Sequence, residues 1–141
     1  MILLSIKEEA ADDLNEIVGY DRGSAVRMLT FLQEAKTKPA ILDMLLDSGV
    51  SLTPGSDGLS WVEPKKVWVH QRRGIPTWRL KYADSAGNVL GYRMLYLFEP
   101  VSQFNSRPRI HIVAVARREE IDYDDPNNRY MQRALRIWNE F

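Results

Sequence analysis

Trp78-Arg79-Leu80-Lys81-Tyr82, then Asp84-Ser85-Ala86-Gly87-Asn88, then residues 89–98 read together as a β-hairpin, and this stretch decides the fold. In the first five residues apolar and basic side chains alternate, the period of a strand with one buried face. The next five are turn formers, with Gly87 free to take a positive φ. Residues 89–98 are rich in aromatic and apolar side chains and supply the returning strand. Because successive strand side chains point to opposite faces, Arg79 and Lys81 share one face while Trp78, Leu80 and Tyr82 occupy the other.

Working outward, Glu99-Pro100 ends the hairpin, and residues 101–108 form a polar loop. Residues 109–116 give a third strand whose unbroken apolar core, 112–116, suits a central sheet position. Residues 128–139 form a terminal helix with Met131, Leu135 and Trp138 at helical spacing. Upstream, residues 66–70 read as a strand and Arg72-Arg73-Gly74-Ile75-Pro76 as a basic loop. Thr53-Pro54-Gly55-Ser56-Asp57-Gly58 is loop chemistry. Earlier still, residues 2–6 read as a short strand and 7–18 as a helix capped by Ser5 and stopped at Gly19. Glu8, Glu9, Asp12 and Asp13 crowd its early turns, where the helix dipole favours anions. A second helix spans 22–36 and is broken by Pro39. A short third covers 41–46 and ends at Ser48-Gly49. The expected fold class is α+β: a small antiparallel sheet of roughly 3–5 strands, packed against two or three N-terminal helices, with a C-terminal helix. One domain is expected over residues 1–141, with an extended helix and loop segment around 37–76.

The chain has 141 residues, of which 45% are hydrophobic and 27% charged, an ordinary globular composition. It has no Cys, which removes disulfide frameworks, thiol catalysis and thiolate zinc sites. His70 and His111 have no partner at metal-ligand spacing, so neither a metal nor a cofactor is expected. No apolar run approaches the roughly 20 residues of a spanning helix, and residues 1–4 are too short for a leader, so a cytoplasmic protein is expected.

Nineteen basic residues balance nineteen acidic ones, but they are placed unevenly. Residues 1–60 carry 5 basic and 10 acidic side chains, residues 61–118 carry 11 and 3, and residues 119–141 carry 3 and 6. The middle segment is therefore a basic block. One reading is a surface that meets a polyanion; the other is basic strands paired with acidic helices inside one fold. Arg93 lies on the returning strand, and the next strand ends in Arg117-Arg118 with Tyr123 close behind. A sheet face can thus converge four cations and a phenol. The competing reading is a solvated face whose charges discourage edge pairing.

The strand Trp78-Arg79-Leu80-Lys81-Tyr82, the strand Gly91-Tyr92-Arg93-Met94-Leu95-Tyr96 and the run Ile112-Val113-Ala114-Val115-Ala116-Arg117-Arg118-Glu119, ending in Tyr123, resemble the RelE/ParE toxins of bacterial type II toxin–antitoxin systems. The likeness covers residues 1–35 loosely and 77–124 more tightly, and does not account for 37–76. It implies a RelE-like fold and a cognate antitoxin protein as partner. RelE-type members enter the ribosome and cut messenger RNA without metal. The RNA's own 2′-hydroxyl displaces the adjacent 5′-oxygen and leaves a cyclic phosphate. Such a reaction needs a base, an acid, and cations for the phosphorane charge. Carried onto this sequence, the resemblance makes Lys81, Arg93, Arg118 and Tyr123 catalytic. It gives Arg79 and Arg117 to RNA binding, to which the basic loop is expected to add Arg72 and Arg73, and Glu119 is held in reserve as general base. ParE-type members instead poison DNA gyrase through protein contacts. A third reading is a non-catalytic RelE-like binding module of phage origin.

Overall fold

The hairpin forms where the alternation places it. In a computed structural model that describes residues 2–53 and 58–141, strand β4 (Thr77–Ala83) pairs antiparallel with β5 (Tyr92–Glu99). Met1 and the loop residues read at 54–57 lie outside the described residues. The hairpin turn closes because Asp84 Oδ1 accepts the N–H groups of Ala86 and Asn88, both at 3.0 Å, and Gly87 takes φ +85°.

Further strands flank this pair. On one side β6 (Arg109–Arg117) runs antiparallel to β5, and β1 (Leu3–Ile6) runs parallel to β6. On the other, β3 (Trp61–Lys66) pairs antiparallel with β4, and β2 (Ser51–Leu52) with β3. The sheet is six-stranded and mixed, in the order β1-β6-β5-β4-β3-β2. This corrects the expected small antiparallel sheet. Side-chain alternation encodes a strand's face but not its partner, so nothing local tells β1 to pair with a strand from the far end of the chain. The missed strand β3 contains Pro64, which argues against an interior strand. The structure resolves the conflict: β2 covers only Trp61 and Val62, so Pro64 sits where β3 is the sheet edge. The strand expected at 66–70 is instead a short helix, α4 (Trp68–Gln71).

Helices cover both faces of the sheet. On one face lie α1 (Glu8–Tyr20), α2 (Arg22–Thr37) and α3 (Pro39–Met44), whose Leu14, Ile17, Met28, Phe31 and Leu32 form a core with Leu80, Tyr82, Met94 and Tyr96. On the other, α5 (Arg129–Asn139) packs Tyr130, Met131, Ala134 and Ile137 against Leu95, Leu97, Val113 and Ala114. Being covered twice, β5 and β6 read as near-continuous apolar runs. Asn128 starts α5, its side chain accepting from the N–H groups of Tyr130 and Met131. A bulge adjusts the inner strands: Leu95 faces Ala114 while Tyr96 faces Ile112, so Val113 is the extra residue. It switches parity, placing Ile112 and Val115 in the α1–α2 core and Val113, Ala114 and Ala116 beneath α5. The segment before β3 is held tightly to α2: a Cβ at Gly58 would sit 2.6 Å from the Arg27 carbonyl oxygen. Among the described residues no helix is long and apolar enough to cross a membrane.

Candidate nucleic-acid interface

The register gathers charge on the α5 side of the sheet. Across β3 and β4, Lys65 faces Arg79 and Glu63 faces Lys81. Arg79 in turn faces Leu95, two residues along β5 from Arg93, so all of these side chains project to one face. Since α5 lies over β5 and β6, it leaves the β3–β4 half of that face to the charged residues.

Arg93 is the most constrained of them. It is only 6% exposed, and among the described residues it has no carboxylate within ion-pair distance. Its Nη1 donates to two backbone oxygens, Leu90 at 2.9 Å and Tyr92 at 2.8 Å. Burial pushes its pKa below the usual arginine value, and the charges of Arg79 and Arg118 push it the same way, against the raising influence of Tyr82 and Tyr123. A guanidinium nevertheless stays protonated, so the fold holds a cation among cations. Arg79 has some compensation, with Nη1 3.7 Å from Glu63 Oε1. Arg118 is exposed in the 3-10 turn Arg118–Glu120 that follows β6, its N–H bonded to the Gly91 oxygen at 2.9 Å.

Tyr123 completes the group. Its hydroxyl is buried and has no hydrogen-bond partner among the described residues. Burial raises its pKa, while Arg79 and Arg93 pull against that rise. The net direction is upward, so the phenol keeps its proton at neutral pH. A cleft of about 230 Å³ opens beside it, lined by Lys65, Lys66, Trp68, Arg79, Tyr123 and Asp124 among others.

Other residues singled out in the sequence lie elsewhere. Arg117 faces Tyr92 and points to the α1 side, its guanidinium 4.5 Å from the Tyr20 ring centroid and 3.8 Å from Glu120. Glu119 lines the same side, in a cleft with Tyr20, Asp21 and Tyr92. There the Tyr92 hydroxyl donates to Asp21 at 2.8 Å, which holds the Asp21 carboxyl below its usual range. Arg72 and Arg73 are exposed on the turn after α4. The structure thus brings Arg79, Arg118 and Tyr123 into electrostatic reach of Arg93, with Lys81 on the same face as Arg79, and separates them from Arg117 and Glu119.

Sequence reading missed Glu63, Lys65, Lys66 and Trp68. The signal for Glu63 and Lys65 was present in Trp61-Val62-Glu63-Pro64-Lys65-Lys66, where buried Val62 and Pro64 alternate with charged neighbours. Among the described residues no group of three or more His, Asp or Glu side chains is placed to hold a metal ion.

No protein-family model matches the chain, and no curated protein matches its sequence. Among solved structures it is similar to a YoeB/ParE toxin from Agrobacterium tumefaciens, at 12% identity and a TM-score of 0.38. That likeness covers 82% of this chain and 97% of the toxin.

Proposed function

We propose that this chain is the toxin of a type II toxin–antitoxin pair, an endoribonuclease that cuts messenger RNA on the ribosome and so inhibits translation. The observation that supports this most is Arg93, a buried guanidinium that among the described residues meets no carboxylate and has Arg79 and Arg118 in electrostatic reach. Burying an uncompensated charge is costly, and a bound phosphodiester relieves that cost. Arg79, Lys81 and Arg118 then spread the negative charge that grows on phosphorus in the transition state.

In this reading the RNA 2′-hydroxyl attacks phosphorus and the bond to the 5′-oxygen breaks, leaving a 2′,3′-cyclic phosphate. The proton of the 2′-hydroxyl passes to Glu63, the carboxylate that lies on this face opposite Lys81. The 5′-oxygen takes its proton from Tyr123, whose phenol is kept protonated by burial. Glu63 takes the role held in reserve for Glu119, since Glu119 lines the cleft on the other side of the sheet. The antitoxin is the protein partner of this reading. An apolar groove of about 330 Å³ between α1 and α2, lined by Ile6, Leu14, Val18, Val26 and Leu29 among others, is where a partner segment fits. The same groove is the observation that favours the second reading, protein-mediated inhibition of DNA gyrase.

The test uses purified protein with ribosome-bound message and with free single-stranded RNA, both in EDTA. Cleavage products ending in a 2′,3′-cyclic phosphate are expected. A 2′-deoxy substitution at the scissile nucleotide blocks cleavage, as does the Arg93→Ala, Arg118→Ala double change. Tyr123→Phe and Glu63→Gln each slow cleavage by about 10²–10⁴-fold. Intact messages with DNA damage on expression would establish the gyrase reading instead. Intact RNA without growth arrest leaves a binding module.

A further inference from the structure

We propose that the cleft between α4 and the Arg79–Tyr123 wall is a nucleotide subsite, in which Trp68 stacks a base of single-stranded RNA and Lys65 and Arg79 hold the phosphate beside it. This rests on the reading of the sheet face as an RNA site, and extends that site into the segment that the family resemblance leaves unexplained.

Trp68 is 60% exposed, although the helix that carries it is firmly seated. The Val67 N–H bonds to the Thr77 oxygen at 2.9 Å, and His70 is buried with Nδ1 2.7 Å from Thr77 Oγ1. One turn of helix is thereby locked to β4, and its Trp68 lines the cleft. An exposed tryptophan on a rigid support is a ready-made stacking platform, because little freedom is lost when a base lands on it.

The surrounding charges select the ligand. Lys66 Nζ stands 5.6 Å from the ring centroids of both Trp68 and Trp78, and Lys65 faces Arg79 across the ladder. Lys65 and Arg79 thus share the cleft's face of the sheet, while Lys66 approaches the Trp68 ring from the side of Trp78, and the acidic lining residue of the cleft is Asp124. An aromatic plane beside a row of cations is the pairing that recognises an unstacked base and its phosphate. A duplex hides its base faces, so the ligand is single-stranded. Arg79 and Tyr123 line both this cleft and the cationic cluster, so the stacked base belongs to a nucleotide next to the bound phosphodiester.

The test is binding of a fluorescently labelled 2′-O-methyl hexanucleotide, which offers base and phosphate but no attacking hydroxyl, followed by anisotropy. Trp68→Ala is expected to weaken binding by roughly 5- to 150-fold, the loss of one base stack, while Trp68→Phe stays within a few-fold. Removing the base at one position of the oligonucleotide costs the wild type a similar factor and costs the Trp68→Ala protein almost nothing. That cycle reads the stack without relying on the alanine variant alone. The Lys65→Ala change lowers affinity and flattens the salt dependence. If Trp68→Ala binds within about two-fold of wild type, and every abasic position costs both proteins alike, the subsite is overturned. Loss of binding in Arg93→Ala would then leave the RNA reading standing. Loss through Trp68 with none through Arg93 overturns the cationic-pocket reading and keeps the subsite. A wild-type chain with no affinity for the oligonucleotide overturns both.

Discussion

Asp13 and Arg133, from helices at opposite ends of the chain, meet at the rim of the sheet, with Arg133 Nη1 2.6 Å from Asp13 Oδ2. The pair does more than join α1 to α5. Strand β1 ends at Ile6, opposite Ile112, so among the described residues the outer edge of β6 beyond that point has no ladder partner. Asp13 Oδ2 accepts the Val115 N–H at 2.9 Å, and Arg133 Nη1 donates to the Val113 oxygen at 3.2 Å. Two side chains thereby replace the missing strand at the bulge, satisfying backbone groups that burial would otherwise leave orphaned.

Removing either side chain is therefore expected to be expensive. Asp13→Ala leaves the Val115 N–H without its acceptor and the mostly buried Arg133 guanidinium with only Glu9 and the Val113 oxygen, and should cost about 2 kcal/mol of stability. Arg133→Ala should cost a similar amount, and the double variant less than the sum, because the two act as one unit. Urea unfolding followed by circular dichroism checks this through a fall in the midpoint at unchanged m-value. Additive losses would show that the two side chains work independently.

Arg93 calls for the opposite result. Its charge is buried without a counter-ion among the described residues, so Arg93→Met should be between neutral and about 2 kcal/mol more stable than wild type. The same variant should lose RNA cleavage. Gain in stability with loss of function is the mark of a residue kept for its chemistry. Thermal melts and the cleavage assay on one preparation decide the point. A markedly destabilised Arg93→Met protein would mean that the arginine is a structural strut for the Leu90 and Tyr92 carbonyls.

The hairpin was legible because its signal is local: alternation from Trp78 to Tyr82 and turn chemistry from Asp84 to Asn88. The same alternation placed Arg79 and Lys81 on one face, and Arg93 followed from the returning strand. Arg117 and Arg118 show the limit of that logic. They are neighbours in sequence, but Arg117 ends β6 facing α1 while Arg118 has already turned into the 3-10 segment. No periodicity announces where a strand stops. Strand β3 was hidden by its proline and its two lysines, whose tolerance depends on an edge position that only the assembled sheet reveals. The parallel pairing of β1 with β6, and the division of helices between two faces, are set by contacts across the length of the chain. Such contacts leave no trace in a window of ten or fifteen residues.

A pH dependence follows from the two histidines. Each is 4% exposed, and burial is the leading cause that pushes both below the ordinary histidine pKa. For His70, Arg73 adds to the effect. For His111, the hydrogen bond to Glu99 opposes it, the Glu99 charge acts with that bond, and Lys7 and Arg109 push down. The unfolded chain takes up these protons as pH falls through about 6.5, whereas the folded chain resists them. Stability is therefore level above that pH and declines below it as the folded state is forced to charge its buried imidazoles. Asp21, held low chiefly by the Tyr92 hydroxyl, adds its own loss only further down, below about pH 4. Urea midpoints measured from about pH 8 to pH 5 should show a plateau and then a fall. The His70→Asn, His111→Gln double variant, which cannot titrate, should keep the plateau through that range even if its height is lower. A slope in the double variant equal to that of the wild type would assign the acid sensitivity to other groups.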